Sequence, residues 1–141
     1  MKHRMKGKKL GRNIKQRKAL FKSLITNLIF KQQIKTTEAK AKAIKPLIDK
    51  LMTKAKQGSL SYRRQVIGFL SHQKAANHLF DVVAPQTKKR TSGFTRVVRL
   101  GQRKGDNTMM AKIEFVDKKS VGSELSATRN EVKGSSEPSK K

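Results

Sequence analysis

The chain has 141 residues, with 35 Lys and Arg against 9 Asp and Glu, a net charge of +26, and neither Cys nor Trp. So one-sided a balance repels itself in a compact state and calls for a polyanion beside it; the missing cysteines exclude a disulfide framework, a thiolate zinc site and a nucleophilic thiol. The length suits one domain of about 100 residues with extensions, and with hydrophobic residues at 35% and aromatics at 5% its core must be modest and aliphatic.

The first acid is Glu38, and the cations before it begin with Lys2, Arg4, Lys6, Lys8, Lys9 and Arg12, with Gly7 and Gly11 between them. Residues 1–13 read as a basic arm, extended and disordered until bound, because such a segment cannot collapse alone and glycine lets its backbone follow a surface. The opening has the basic beginning of a signal peptide without the apolar segment that follows one. It runs into a patterned helix with no cleavage boundary, which argues against a presequence.

Asn13 suits an N-cap. Leu20, Phe21, Leu24, Ile25, Leu28 and Ile29 then recur at helical intervals, predicting an amphipathic helix over about 16–30. Ser23, Thr26 and Asn27 dilute its polar face and no Trp anchors it, so membrane docking is disfavoured. No apolar run approaches the ~18 residues of a membrane span.

Lys31 to Thr36 reads as a short strand. Thr37 is expected to cap the next helix, with Glu38 in its first turn and Ala43, Ile44, Leu47, Ile48, Leu51, Met52 and Ala55 on one face up to Gly58. Pro46 should kink this helix without ending it, since the periodicity continues across it. Ser59 and Ser71 are the next expected caps, opening helices of about 60–70 and 72–83, the second ended by Pro85. A polar loop to Gly93 holds Lys88, Lys89 and Arg90. A hairpin follows: Phe94 to Gly101, a turn at Lys104-Gly105-Asp106-Asn107, and Met109 to Asp117 with Ala111, Ile113 and Phe115 on one face.

The order predicts an α+β fold: about four helices packed on a small sheet (the short strand plus a C-terminal β-hairpin), with an extended basic N-terminal arm and a disordered C-terminal tail. The expected sections are the arm 1–13, one domain 14–117 and a low-complexity tail 118–141. The tail holds six cations and three acids, leaving 29 cations against six acids, or +23, on residues 1–117.

Catalysis needs tuned groups within reach of one another. His3 lies in the arm; His72 and His78 are six residues apart on a short helix, on roughly opposite faces, and no clustered carboxylates would complete a metal site. The stretch Gly101 to Asp106 lacks the Gly-Lys-Ser/Thr ending of a phosphate loop. No catalytic residue, metal, cofactor or small-molecule substrate is assigned. Nucleic-acid binding fits better, because Lys and Arg displace condensed counterions from phosphates.

The candidate contacts are Lys2, His3, Arg4, Lys6, Lys8, Lys9 and Arg12 in the arm, and Arg17 and Lys18 at the start of the first helix. To these are added Arg63 and Arg64, the loop Lys88, Lys89 and Arg90, and the hairpin's Arg96, Arg99, Arg103 and Lys104. Tyr62 and Phe94 could stack on bases, although half-burial of Tyr62 and core filling by Phe94 are the better readings. No recognition helix, zinc module or zipper suggests a sequence-specific DNA reader. A small domain with basic extensions suits a large folded RNA, with an architectural DNA-binding protein as the alternative.

Three separated strings, MKHRMKGKKLGRN, IKTTEAKAKAIKPLIDKLMTKAK and GFTRVVRLGQRKGDNTMMAKIEFVD, resemble the bacterial large-subunit ribosomal protein seventeen family over residues 1 to about 117. The resemblance implies an α+β structural constituent of the large ribosomal subunit, cytoplasmic and without enzymatic activity, that supports translation. It further implies binding to large-subunit (23S-type) rRNA near the solvent-side opening of the polypeptide exit tunnel, beside ribosomal proteins twenty-two and thirty-two. Pro46 also stands mid-helix in that family. Glu38-Ala39 departs from the Leu-Pro helix start of some members, and the tail lies beyond the resemblance.

Overall fold

The computed structural model describes residues 8–87 and 90–117. The first residues of the arm, Lys88, Lys89 and the tail 118–141 lie outside the described residues. At Lys9 to Arg12 the chain makes a turn, closed by the Arg12 N–H on the Lys9 carbonyl at 3.2 Å.

Asn13 caps α1 (Ile14–Lys31), its side chain accepting from the Gln16 N–H at 2.8 Å. Ile25, Leu28 and Ile29 of the expected stripe are buried. The chain turns at Gln32, where φ is +57°, and enters β1 (Gln33–Thr37). Lys31 therefore ends the helix rather than opening the strand. Thr37 leads directly into α2 (Glu38–Gln57), which runs unbroken through Pro46 and buries Ala41, Ile44, Ile48, Leu51, Met52 and Ala55. Thr37 has the extended backbone of a cap, but its hydroxyl makes no capping bond; it is held as the last residue of β1, opposite Met110. Gly58, at φ +70°, closes α2 by donating to the Lys54 carbonyl.

Ser59 caps α3 (Leu60–Leu70), as expected. Ser71 does not cap the next helix. At φ +54° it closes α3, and the His72 imidazole takes the cap, its Nδ1 accepting from the Ala75 N–H at 3.1 Å. The expected helix 72–83 is three pieces: α4 (Gln73–His78), a π-helical turn (Leu79–Val83) and α5 (Ala84–Gln86). The Ala84 N–H reaches back five residues to the Leu79 carbonyl, and Pro85 stands in the first turn of α5. The helical path thus continues past Pro85 instead of ending before it.

The hairpin is β2 (Thr95–Gln102) and β3 (Met109–Phe115). Both β1 and β2 pair antiparallel with β3, giving the order β1-β3-β2. Ile113 lies between Ile34 and Val97 in register, and Ala111, Ile113 and Phe115 are buried as the alternation predicted. A register shift between Arg99 and Gly101 bulges β2 at Leu100. Helix α2 packs on all three strands and also on α1, α3 and the π turn. The fold is therefore α+β, with helices gathered on a small antiparallel sheet.

Candidate nucleic-acid interface

Six acids stand among the described residues, and every one is engaged inside the protein. Glu38 Oε1 lies 2.6 Å from Lys42 Nζ and 3.0 Å from Arg99. Asp81 pairs with Arg63 at 3.0 Å, Asp117 with Arg90 at 2.7 Å, Asp106 with Arg103 at 2.6 Å, and Glu114 with Lys112 at 3.0 Å. Asp49 accepts the Phe94 N–H at 3.3 Å. The hydrogen bond from Lys42, then that from Arg99, holds the Glu38 carboxyl below its ordinary value of 4.5. Arg103, then Thr108, holds the Asp106 carboxyl down as well, and Asp106 in turn raises the Arg103 guanidinium.

This pattern divides the expected contact residues into two groups. Arg63 is a structural tie: it donates to Asn77 Oδ1 and Asp81 Oδ1, and its guanidinium lies 4.8 Å from the Phe80 ring centroid. It thereby binds α3 to the helical segment after Ser71. Arg90 is held by Asp117, and its carbonyl accepts from Lys56. Arg99 joins β2 to the start of α2 through Glu38, and Arg103 stabilises the hairpin turn through Asp106. Arg12 donates to the Leu10 carbonyl at 3.0 Å.

Among the described residues, Lys8, Lys9, Arg17, Lys18, Arg64, Arg96 and Lys104 form no ion pair with an acidic side chain. All but the half-buried Arg17 are exposed.

Some of these come together. Lys8 and Arg17 share a groove between α1 and α2 with Lys42. A second concavity carries the same basic region, through Lys8, Lys42 and Glu38, to Thr108 and Met109 at the foot of the hairpin. Others are separate: Arg64 lies on α3, Lys104 lies on the hairpin turn, and the register sets Arg96 opposite Glu114. Lys2, His3, Arg4, Lys6, Lys88 and Lys89 are outside the described residues. Lys42 is not among the sequence candidates; an acid four residues before a lysine on a helix forms a local pair, as Glu38 does with it here.

The aromatic candidates divide as expected. Phe94 is fully buried, with Lys56 Nζ 5.6 Å from its ring centroid, so it cannot meet a base; Tyr62 is half-buried. His72 and His78 are not on opposite faces, since both rings meet Phe30, at 5.6 and 5.7 Å between centroids. Among the described residues no group of three or more acidic or histidine side chains could hold a metal, and no helix is long and apolar enough to cross a membrane.

The comparisons with known proteins agree on one family. The pattern of the family Ribosomal protein L17 matches residues 20–116. Relatives named large ribosomal subunit protein bL17 include one from Mesorhizobium japonicum, 42% identical over 118 residues, spanning 84% of this chain and 82% of the relative. Another, from Rhodopseudomonas palustris, is 45% identical over 118 residues, spanning 84% and 85%. A third, from Shouchella clausii, is 45% identical over 116 residues, spanning 77% of this chain and 97% of the relative. With a match of this length and identity, and an α+β fold behind it, the chain belongs to the ribosomal protein L17 family.

Proposed function

We propose that this protein binds and stabilises large-subunit rRNA near the polypeptide exit tunnel, against neighbouring proteins twenty-two and thirty-two, in the cytoplasmic large ribosomal subunit. Family membership makes it a structural large-subunit protein of translation and not an enzyme. The observation that carries the RNA reading is the fate of the acids. All six in the described body are engaged internally, so the surplus of cations in residues 1–117 is left for an outside polyanion. Each phosphate neutralised releases a condensed counterion, which yields affinity without base readout. Paired arginines such as Arg99 and Arg103 retain free N–H groups and can serve both a carboxylate and a phosphate.

A titration of the full chain against large-subunit rRNA tests this. Affinity should fall steeply with salt, with a log–log slope of roughly one unit or somewhat less per phosphate neutralised; a flat response contradicts the mechanism. On a sucrose gradient the protein should travel with the large subunit, survive DNase and be released by RNase or high salt. Release by DNase instead would favour an architectural DNA-binding role.

A further inference from the structure

The groove between α1 and α2 has features that counterion release alone does not use. Its floor is apolar, made by Phe21 of α1 with Ala43, Pro46 and Leu47 of α2. Lys8, Arg17 and Lys42 stand around it, and the space is about 380 Å³, within the range of pockets that take small organic groups. Pro46 is the unusual member. Inside a helix a proline removes one hydrogen bond and crowds the preceding turn. The core does not explain it: Pro46 is exposed, while Ile44 and Ile48 beside it make the buried contacts of α2. A rigid prolyl ring beside a phenyl ring suits a planar apolar group, and Lys8 and Arg17, which pair with no acid among the described residues, call for an anion attached to it, with Lys42, shared with Glu38, beside them.

A nucleotide whose base is unpaired has both parts. A base inside a duplex has neither face free, whereas an unpaired one stacks on aromatic side chains whatever its identity. An apolar peptide side chain would satisfy the floor and leave Lys8 and Arg17 unanswered. We infer that this groove takes one unpaired nucleotide of the bound RNA, with the base against Phe21 and Pro46 and its phosphates held by Lys8, Arg17 and Lys42. The inference rests on the RNA-binding reading above, and makes the protein a reader of RNA shape at one point of its surface.

The test uses the full chain with two probes, a fully paired RNA duplex and the same duplex carrying one bulged fluorescent purine. The protein should prefer the bulged RNA about tenfold, the order expected of one base stack, and the purine's fluorescence should change on binding. Pro46→Ala restores a helix-favouring residue and should fold at least as stably. It should lose most of the preference while keeping its affinity for the duplex. Ala43→Leu, which fills the groove, should do the same.

Equal affinity for both RNAs with unchanged fluorescence overturns the inference and leaves the RNA-binding reading intact, whereas binding to neither overturns both. A preference that survives both substitutions puts the nucleotide elsewhere, and the inference fails. In assembled large subunits, a photoreactive phenylalanine analogue in place of Phe21 should crosslink to rRNA. A crosslink to a neighbouring protein, or to residues 1–7 of this chain, gives the groove a different occupant and also overturns it.

Discussion

Glu38 shows how one acid is used in a chain so short of acids. It sits in the first turn of α2, is hydrogen-bonded to Lys42 and Arg99, and is held below its ordinary 4.5 chiefly by the first of these. A carboxyl whose folded pKa is depressed contributes stability that is fully present above its unfolded value and lost as pH falls through the folded one. Asp106 acts in the same direction at the hairpin turn. Acidification below 4.5 should therefore lower the melting temperature. Glu38→Gln should flatten part of that dependence, and an unchanged acid slope in the variant would show that the clamp adds nothing.

Arg63 and Arg64 make a second residue-scale contrast, since adjacent cations look alike in sequence. Arg63→Ala removes an ion pair with Asp81 and the cation over Phe80; with both groups partly exposed, the expected cost is about 1 kcal/mol. It should shift the urea midpoint. Arg64→Ala should leave that midpoint unchanged and act, if anywhere, on rRNA affinity.

At the scale of elements, the central strand carries the most concentrated packing. Ile113 is fully buried between Ile34 and Val97, which are only partly buried. Ile113→Ala should cost about 2–5 kcal/mol in chemical denaturation and Ile34→Ala clearly less.

Helix ends were partly readable. Asn13 and Ser59 have the short oxygen-bearing side chains that reach an early N–H, and both do so. Thr37 and Ser71 have equally suitable side chains, but Thr37 is tied into the sheet and Ser71 lies at a left-handed turn. The π turn left no mark in the pattern, because Leu79, Phe80 and Val83 fit a regular helix equally well. Pro85 likewise reads as a stop or as a first-turn residue, and only the bonding before it decides.

For the whole molecule, charge and fold are separable. The domain closes its core with its acids spent on internal ties, and the arm enters α1 through Asn13. A deletion that tests the arm must therefore stop at residue 12 and keep the cap. It should weaken rRNA binding and reduce the salt slope by roughly one unit or less for each phosphate the shortened chain no longer neutralises, with the helical circular dichroism unchanged. Unfolding of the truncated chain would mean that the arm belongs to the core.

Much of this protein followed from local sequence. The excess of cations, the two long amphipathic helices, the hairpin with its Gly105-Asp106-Asn107 turn, and the L17 strings were all evident from composition, periodicity and turn chemistry, which act within a few residues. Tertiary structure decided what spans the chain. It placed β1 beside β3 and set Arg99 on Glu38, 61 residues away. It turned Arg63 inward and gathered Lys8, Arg17 and Lys42 around one groove. Pairing of distant strands and the choice among many cations for six acids depend on which surfaces the packed core brings together, and no local pattern carries that information.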